Sequence, residues 1–214
     1  MIDENQVKII VAEVIKGIEQ RERIQAGKVP TGVSNRHIHV SQTDLETLFG
    51  KGYKLKEMKP LSQPGQYAAD ETLLLVGPKG SIEKCRILGP VRPSTQVEIS
   101  MTDSFKLGVA GVVRDSGDTK KTPGCTLKGP AGAVTLEEGV IVAARHIHAS
   151  LADAAKFGLK DLDRVAVRST GIKSVVFNNV LVRVSDKFAL DFHIDTDEAN
   201  AAGLKNGDMV EIVA

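Results

Sequence analysis

The residues of this 214-residue chain that could carry out chemistry are, first, its five histidines, His37, His39, His146, His148 and His193. Four of them form two copies of the pattern His-x-His. In a β-strand, residues i and i+2 point to the same face about 6–7 Å apart, so each pair could bind one metal ion or line a pocket. One isolated pair would also fit a polar strand face that binds nothing. Because every histidine belongs to a repeated pattern, we favour metal binding.

The histidine pairs lie within a longer internal repeat. The segment Arg36–Asp44 (RHIHVSQTD) recurs as Arg145–Asp153 (RHIHASLAD), at an offset of 109 residues. In a second correspondence, His148 and His193 each lie ten residues before a Gly-Leu-Lys sequence. A repeated unit of strand, helix, glycine turn and strand would therefore give His39, His148 and His193 equivalent positions. Duplicated units of this kind imply two similar small barrels rather than one large one.

Imidazole-rich sites that a carboxylate completes suit zinc, with iron, cobalt or manganese as alternatives. Three histidines and a water molecule leave an open coordination position, which is typical of catalytic sites. Glu98 is the preferred carboxylate because it shares one strand face with Gln96, although an ordinary exposed glutamate fits this pattern nearly as well. The other candidate carboxylates are Asp44, Asp153 and Asp191.

Three arginines lie close to these residues in the sequence. Arg36 and Arg145 immediately precede the histidine pairs and point to the opposite strand face, which predicts structural contacts with carboxylates. Arg92 lies between two prolines, six residues before Glu98. A guanidinium held in this way is a preorganised fork for an oxyanion such as phosphate, although a surface-loop arginine is an equally compatible interpretation.

The composition narrows the class of protein. The 28 Lys and Arg residues nearly balance the 27 Asp and Glu residues, so no overall field favours nucleic acid or an anionic membrane. No apolar run approaches the roughly 20 residues of a membrane span, and the first residues do not resemble a secretory signal. The two cysteines, Cys85 and Cys125, predict a reducing, cytoplasmic location and buried, unreactive thiols. The phosphate-loop, dinucleotide-binding and nucleophile-elbow motifs are absent from the sequence.

The remaining pattern predicts a mainly β fold with one N-terminal amphipathic helix over residues 5–20. Short β-rich runs alternate with turn clusters, which indicates two tandem, duplicated small β-barrels capped by short α-helices. The runs that we predict as strands are Thr72–Val76, Val109–Val113, Val140–Ala144, Val165–Arg168, Ser174–Val184 and Met209–Val213.

Three ordered segments, at 29–41 (VPTGVSNRHIHVS), 88–98 (LGPVRPSTQVE) and 144–148 (ARHIH), resemble the PduL-type phosphate propanoyltransferases. These phosphotransacylases are associated with propanediol-utilising bacterial microcompartments. The family interconverts acyl-CoA and phosphate with acyl phosphate and CoA, uses two divalent metal ions, usually zinc, and folds as two β-barrels capped by short helices. The resemblance runs from about Val29 to the C-terminus. It implies an N-terminal helix and connector over 1–25, one barrel from 26–35 plus 144–214, and a second barrel over 36–143.

The resemblance also implies roles for individual residues. One metal ion is expected at His37, His39 and Glu98, and the other at His146, His148 and His193. Phosphate is expected at Arg92, which would also be the catalytic arginine, with help from Gln96 and Ser116. Coenzyme A is expected near Ser34, Lys59, Arg86, Leu88, His193 and Asn200, with Phe105 against the adenine.

The expected reaction is direct, metal-assisted attack of phosphate on the thioester of propanoyl-CoA, with acetyl-CoA as a second candidate substrate. One alternative is a metal-dependent hydrolase or isomerase on the same barrels. Another is a non-enzymatic binding protein whose histidines hold structural zinc. We expect a homodimer with no nucleic-acid or membrane partner. We expect helix 5–20 either to target the enzyme to the lumen of a microcompartment by contacting its shell, or to pack on the domain.

Overall fold

A computed structural model of the chain describes residues 3–213. The prediction of a mainly β fold with a helix near the N-terminus is confirmed, since 37% of the residues that the structure describes are in strands and 23% are in helices. The helices are α1 (Glu4–Arg23), α2 (Gln42–Phe49), α3 (Met101–Leu107), α4 (Leu151–Phe157) and α5 (Thr196–Ala202). The strands are β1 (Gly27–Ser34), β2 (His37–His39), β3 (Glu57–Pro60), β4 (Tyr67–Val76), β5 (Ser81–Gly89), β6 (Gln96–Ile99), β7 (Val113–Arg114), β8 (Thr126–Lys128), β9 (Ala133–Thr135), β10 (Val140–Ala143), β11 (His146–Ala149), β12 (Arg164–Arg168), β13 (Val176–Val184), β14 (Asp191–Asp195) and β15 (Met209–Val213).

The strands form two sheets. The first is a closed six-stranded barrel in the order β1-β14-β11-β13-β12-β15. The second is a nine-stranded sheet in the order β7-β10-β6-β2-β5-β4-β8-β9, with β3 paired to β4, and it is curled into a half-barrel. The predicted division into domains stays a prediction, and residues 1, 2 and 214, which it includes, lie outside the described residues.

Each sheet has its own apolar core, and the histidine pairs face away from it. Ile38 lies between His37 and His39 and is fully buried in the core of the curled sheet. Ile147 lies between the second pair and is fully buried in the core of the closed barrel. Because successive side chains of a strand alternate between its two faces, burying these isoleucines turns both imidazole pairs to the opposite side.

Two short connectors join the sheets and fix where the histidine strands lie. Residues 35–36 link β1 to β2, and residues 144–145 link β10 to β11, so β2 and β11 both start at the junction of the sheets. Arg36 Nε donates a hydrogen bond to Asp103 Oδ2 at 2.8 Å in the first turn of α3. Arg145 Nη1 donates to Glu198 Oε1, also at 2.8 Å, in the first turn of α5. The predicted pairing of both arginines with carboxylates is confirmed.

Four short helices follow the strands β2, β6, β11 and β14. Their N-cap side chains, which accept hydrogen bonds from the backbone N–H groups three residues later, are Ser41, Ser100, Ser150 and Asp195. Asp44 and Asp153, two of the candidate metal ligands, belong to these caps: Ser41 Oγ donates to Asp44 at 2.9 Å and Ser150 Oγ donates to Asp153 at 2.6 Å. These contacts fix the ends of β2, β6, β11 and β14, the strands that precede the helices.

The predicted strand Val109–Val113 is wrong over most of its length, since only Val113 and Arg114 form the strand β7. Helix α3 ends at Gly108, which adopts a left-handed conformation, and the Val109 N–H then bonds to the Ser104 carbonyl at 3.1 Å. The backbone after this helix is thus occupied in closing the helix end. Branched side chains alone favoured a strand here, and the helix cap overrode that preference.

Helix α1 extends three residues beyond its predicted end, and none of its residues is buried. Its last turn is attached to the barrel through an ion pair between Arg23 and Asp163 at 2.9 Å and a hydrogen bond from Gln20 to the Arg164 carbonyl. The side chains of the apolar stripe of α1, Val7, Ile10, Val11, Val14 and Ile18, are exposed. Its role as a microcompartment-targeting helix stays a prediction, as does the homodimer. Within residues 3–213, every helix is too short or too polar to cross a lipid bilayer.

A pair of identical substitutions tests this difference between α1 and the barrel. Ile18 is 50% exposed on α1, whereas Ile212 is fully buried in the closed barrel. We expect Ile212→Ala to lower the free energy of unfolding by about 2–5 kcal/mol and Ile18→Ala to change it by less than about 0.5 kcal/mol, as measured by urea unfolding. A large decrease in the free energy of unfolding on Ile18→Ala would mean that the apolar stripe of α1 is buried in solution.

Candidate active site

The first cluster of potential metal ligands lies where β2 and β6 pair in antiparallel orientation. In this register His37 is opposite Glu98, and His39 is opposite Gln96. Nε2 of His37 lies 3.4 Å from Glu98 Oε2, and Nε2 of His39 lies 3.8 Å from Glu98 Oε1. Nδ1 of His37 is hydrogen-bonded to the Asn35 carbonyl at 2.8 Å, which fixes the ring. All three side chains are buried.

The second cluster has the same construction on the closed barrel. Strands β11 and β14 pair in antiparallel orientation, with His146 opposite His193 and His148 opposite Asp191. The Nε2 atoms of His146 and His148 are 3.1 Å apart, and the His193 ring centroid lies 5.2 and 4.9 Å from theirs. Nδ1 of His146 is hydrogen-bonded to the Ala144 carbonyl at 2.8 Å, as its counterpart His37 is to Asn35.

The two clusters are therefore related position by position. His37 and His39 correspond to His146 and His148 at the offset of 109 residues found in the sequence. The third member corresponds at a different offset, since Glu98 and His193 are 95 residues apart. The same offset relates the N-caps and the C-caps of the helices that follow, α3 and α5. Glu98 thus occupies in the first cluster the place that His193 occupies in the second.

Three of the histidines, His39, His146 and His148, are held in the neutral form that can act as a metal ligand. Burial, together with nearby His37 and Arg92, lowers the pKa of His39 to about 3. Burial and the neighbouring histidines lower the pKa of His146 to about 4 and that of His148 to about 2. These rings are consequently uncharged at neutral pH and keep a nitrogen lone pair, which is the form that binds metal ions.

Glu98 is the ionised member of the first cluster. Burial opposes its ionisation, but His37, His39 and a hydrogen bond from Ser116 outweigh that effect and lower the pKa of Glu98 to about 2. Ser116 Oγ donates to Glu98 Oε1 at 2.8 Å, and Gln96 Nε2 donates to the same oxygen at 2.6 Å. A carboxylate with this many polar neighbours is held in one orientation.

Arg92 joins the same network, since its Nη1 donates to Ser116 Oγ at 3.4 Å. Its backbone N–H is bonded to the Val40 carbonyl at 2.9 Å, which fixes the loop beside β2. Partial burial lowers the pKa of the Arg92 guanidinium, which nevertheless stays charged at any physiological pH. The arrangement places a cation close to the carboxylate cluster, where an anionic ligand could bridge them.

The residues present fit two divalent metal ions. In each cluster, one potential ligand atom per residue can be chosen so that all three lie within 4.8 Å of one another. The buried Nδ1 atoms of His39 and His148 have no hydrogen-bond partner among the described residues, so both clusters contain unsatisfied polar atoms. Imidazole and carboxylate donors in this number suit zinc or a related transition metal.

Both clusters open into one cavity of about 1010 Å³ at the junction of the sheets. The residues singled out from sequence that line it are Ser34, Arg36, His37, His39, Lys59, Arg86, Leu88, Arg92, Glu98, Ser116, His146, His148, Asp191 and His193. Three described residues that were expected to bind substrate do not line this cavity: Gln96, Phe105 and Asn200. Gln96 nevertheless contacts Glu98 and Ser116 directly. Phe105 is 75% exposed on α3, and Asn200 is exposed on α5. The roles of all these residues in binding stay predictions.

Among the residues of the cavity wall that sequence reasoning missed are Arg183 and Phe188. Arg183 lies on β13 in parallel register with His148, and its guanidinium lies 5.8 Å from the centroid of the Phe188 ring. That ring lies 4.4 Å from the His148 ring. An arginine within the otherwise apolar segment Val180–Val184 was the available signal, whereas nothing in the pattern distinguished Phe188 from a core residue.

Comparison with known proteins gives one consistent answer. The sequence profile of the phosphate propanoyltransferase family matches residues 30–205. A phosphate propanoyltransferase of Thermotoga maritima is 56% identical over 200 residues, covering 93% of this chain and 95% of the relative. Those of Rhodopseudomonas palustris and Priestia megaterium are 52% and 49% identical, covering 86% and 94% of this chain and 82% and 93% of theirs.

The profile and the relatives span the strands, connectors and loops that carry both ligand clusters and Arg92. The resemblance drawn from the histidine repeat and the Arg92 loop is thereby confirmed. The chain belongs to the phosphate propanoyltransferase family and is an acyltransferase.

Proposed function

We propose that this enzyme exchanges a propanoyl group between coenzyme A and phosphate, with two divalent metal ions, zinc foremost, held by the two ligand clusters. One observation carries the proposal: both clusters and Arg92 line a single cavity. His37, His39 and Glu98 would hold one ion, and His146, His148 and His193 the other. Bound there, the ions would supply Lewis-acid polarisation of the thioester carbonyl and charge stabilisation for phosphate and the departing thiolate.

The chain's own residues would hold phosphate beside the thioester. Arg92 offers a fixed guanidinium with several donors, and Ser116 offers a hydroxyl within hydrogen-bond distance of it. Positioning a dilute, solvated nucleophile beside its target can contribute several of the roughly 7–11 kcal/mol available from proximity. Arg92 would also face the negative charge that develops on the carbonyl oxygen during attack.

Coenzyme A would occupy the rest of the cavity. Lys59 and Arg86 both line it and complement the several phosphate charges of the cofactor, and Arg183 adds a further cation to the wall. Acetyl-CoA remains a second candidate substrate. A place in propanediol degradation, within a microcompartment, remains a prediction from the family resemblance.

Direct attack of phosphate is favoured over an acyl-enzyme because the two cysteine thiols are poor nucleophiles. Both are buried in or against the core of the curled sheet. Burial raises the pKa of Cys85 to about 12 and that of Cys125 to about 11, so neither forms a thiolate at neutral pH. Neither cysteine lines the cavity.

A metal-removal experiment tests the proposal. After treatment with a chelator, we expect loss of phosphate-dependent CoA release from propanoyl-CoA, and restoration by zinc. Untreated enzyme should carry two ions per chain by elemental analysis. Acetyl-CoA is assayed in parallel.

The same assay separates the alternatives. CoA release without phosphate would indicate a thioester hydrolase. Full activity in the fully demetallated protein would contradict the proposed role of the ions. Retained zinc with no acyl transfer to phosphate would favour a structural metal site.

Replacing Arg92 tests its role in binding phosphate. We expect Arg92→Ala to raise the KM for phosphate and to cost about 2–4 kcal/mol of transition-state stabilisation, as loss of a principal oxyanion donor does. Steady-state kinetics with varied phosphate provide the measurement. Arg168→Ala, an exposed arginine on β12, is the matched control and should leave the kinetics unchanged. An unchanged phosphate dependence in Arg92→Ala would remove this residue from the site.

The cysteines allow a test of direct transfer. We expect Cys85→Ala and Cys125→Ala each to retain turnover, because the thiols are buried outside the cavity. In the folded protein at pH 8, a thiol reagent should label both only slowly, and labelling should become fast in denaturant. Abolished turnover in either variant with its full metal content would instead indicate an acyl-enzyme.

A further inference from the structure

Each ligand cluster lies on two paired strands, where four residues form a square. The proposed ligands are three of these residues, and we call the fourth the corner residue. It is Gln96 in one cluster and Asp191 in the other. Each corner residue precedes the third ligand, Glu98 or His193, by two residues, so the two side chains share one strand face. The two corner residues are equivalent at the offset of 95 residues.

Both corner residues contact the third ligand of their cluster. Gln96 Nε2 donates to Glu98 Oε1 at 2.6 Å. Nε2 of His193 lies 2.9 Å from Asp191 Oδ2, within hydrogen-bond distance. The chemistry is complementary in each case, because an amide N–H donates to a carboxylate ligand, whereas a carboxylate accepts from an imidazole ligand.

The surroundings hold Asp191 and His193 on one side of β14. The Asp191 side chain is 6% exposed, and His193 is its one side-chain hydrogen-bond partner among the described residues. Gly32 lies opposite His193 on β1, the other neighbour of β14. A Cβ atom at Gly32 would lie 2.8 Å from Asp191 Oδ2 and 2.9 Å from His193 Nε2. The Nε2 edge of His193 therefore lies against Asp191 and β1.

We propose that Asp191 is a positioning residue that accepts the Nε2–H of His193 and so leaves Nδ1 as the nitrogen available to a metal ion. This inference rests on the proposed metal-dependent function. His37 and His146 are oriented in the reverse sense, since their Nδ1 atoms are bonded to backbone carbonyls and their Nε2 atoms face the other potential ligands of the cluster. A carboxylate behind a ligating histidine fixes the ring and makes the imidazole a stronger donor to the ion.

The test uses full-length Asp191→Asn and Asp191→Ala, with Asp186→Asn as the control for loss of one negative charge from an exposed site on the same barrel. Competition with a chromophoric chelator measures the affinity for each of two zinc ions. We expect one ion to be bound about 10–100-fold more weakly in the Asp191 variants, with the other ion and the control unchanged. Circular dichroism and thermal unfolding establish that the variants are folded, and Asp191→Asn is the variant more closely matched in shape.

Nitrogen-15 NMR of the metal-free proteins gives a second readout that a purely structural role would not move. We expect His193 of the wild type to carry its proton on Nε2, and this preference to weaken in Asp191→Ala. A wild-type proton on Nδ1, or zinc affinities unchanged in both variants, would overturn the proposal. If the wild type binds fewer than two ions, the proposed function fails, while the protonated nitrogen of His193 still decides the role of Asp191.

Discussion

The cavity depends on the register of two antiparallel strand pairs. Opposing residues of such a pair lie about 4.5–5.5 Å apart, so the pairing of His37 with Glu98 and of His146 with His193 brings together ligands that are distant in sequence. A slip of one residue would turn the imidazoles into the apolar cores. Ile38 and Ile147 oppose such a slip because each is fully buried between two histidines.

Contacts at both ends of these strands hold the strand register in place. At the start, each two-residue connector carries an arginine that is paired with an acid in the first turn of α3 or α5. At the end, each strand runs directly into a capped helix. Burial then makes His39, His146 and His148 neutral while Glu98 stays ionised, so the fold itself prepares these potential ligands. Arg92 supplies the opposite charge within the same hydrogen-bonded network.

The sequence predicted the parts of the site that repeat. His-x-His within a duplicated segment indicated two ligand pairs, and the structure places each pair on one strand face, as strand periodicity requires. Asp44 and Asp153 were indistinguishable from ligands by residue type, but both lie in Ser-x-x-Asp helix caps, a local signal that could have excluded them. Asp191 was named only as a candidate ligand, although its position two residues before His193 on one strand already indicated a contact between the two side chains. The place of Arg183 beside His148 depends on pairing between distant strands, which no local pattern reports. The same limit applies to the exposed apolar stripe of α1, whose amphipathic pattern does not reveal what it contacts.

The most direct test of the central claim is a crystal structure with anomalous diffraction data collected on both sides of the zinc absorption edge. The account predicts two anomalous peaks in the cavity of each chain, one among His37, His39 and Glu98 and one among His146, His148 and His193. Peaks elsewhere in the molecule, or a crystal of active enzyme with no metal peak at either cluster, would contradict it.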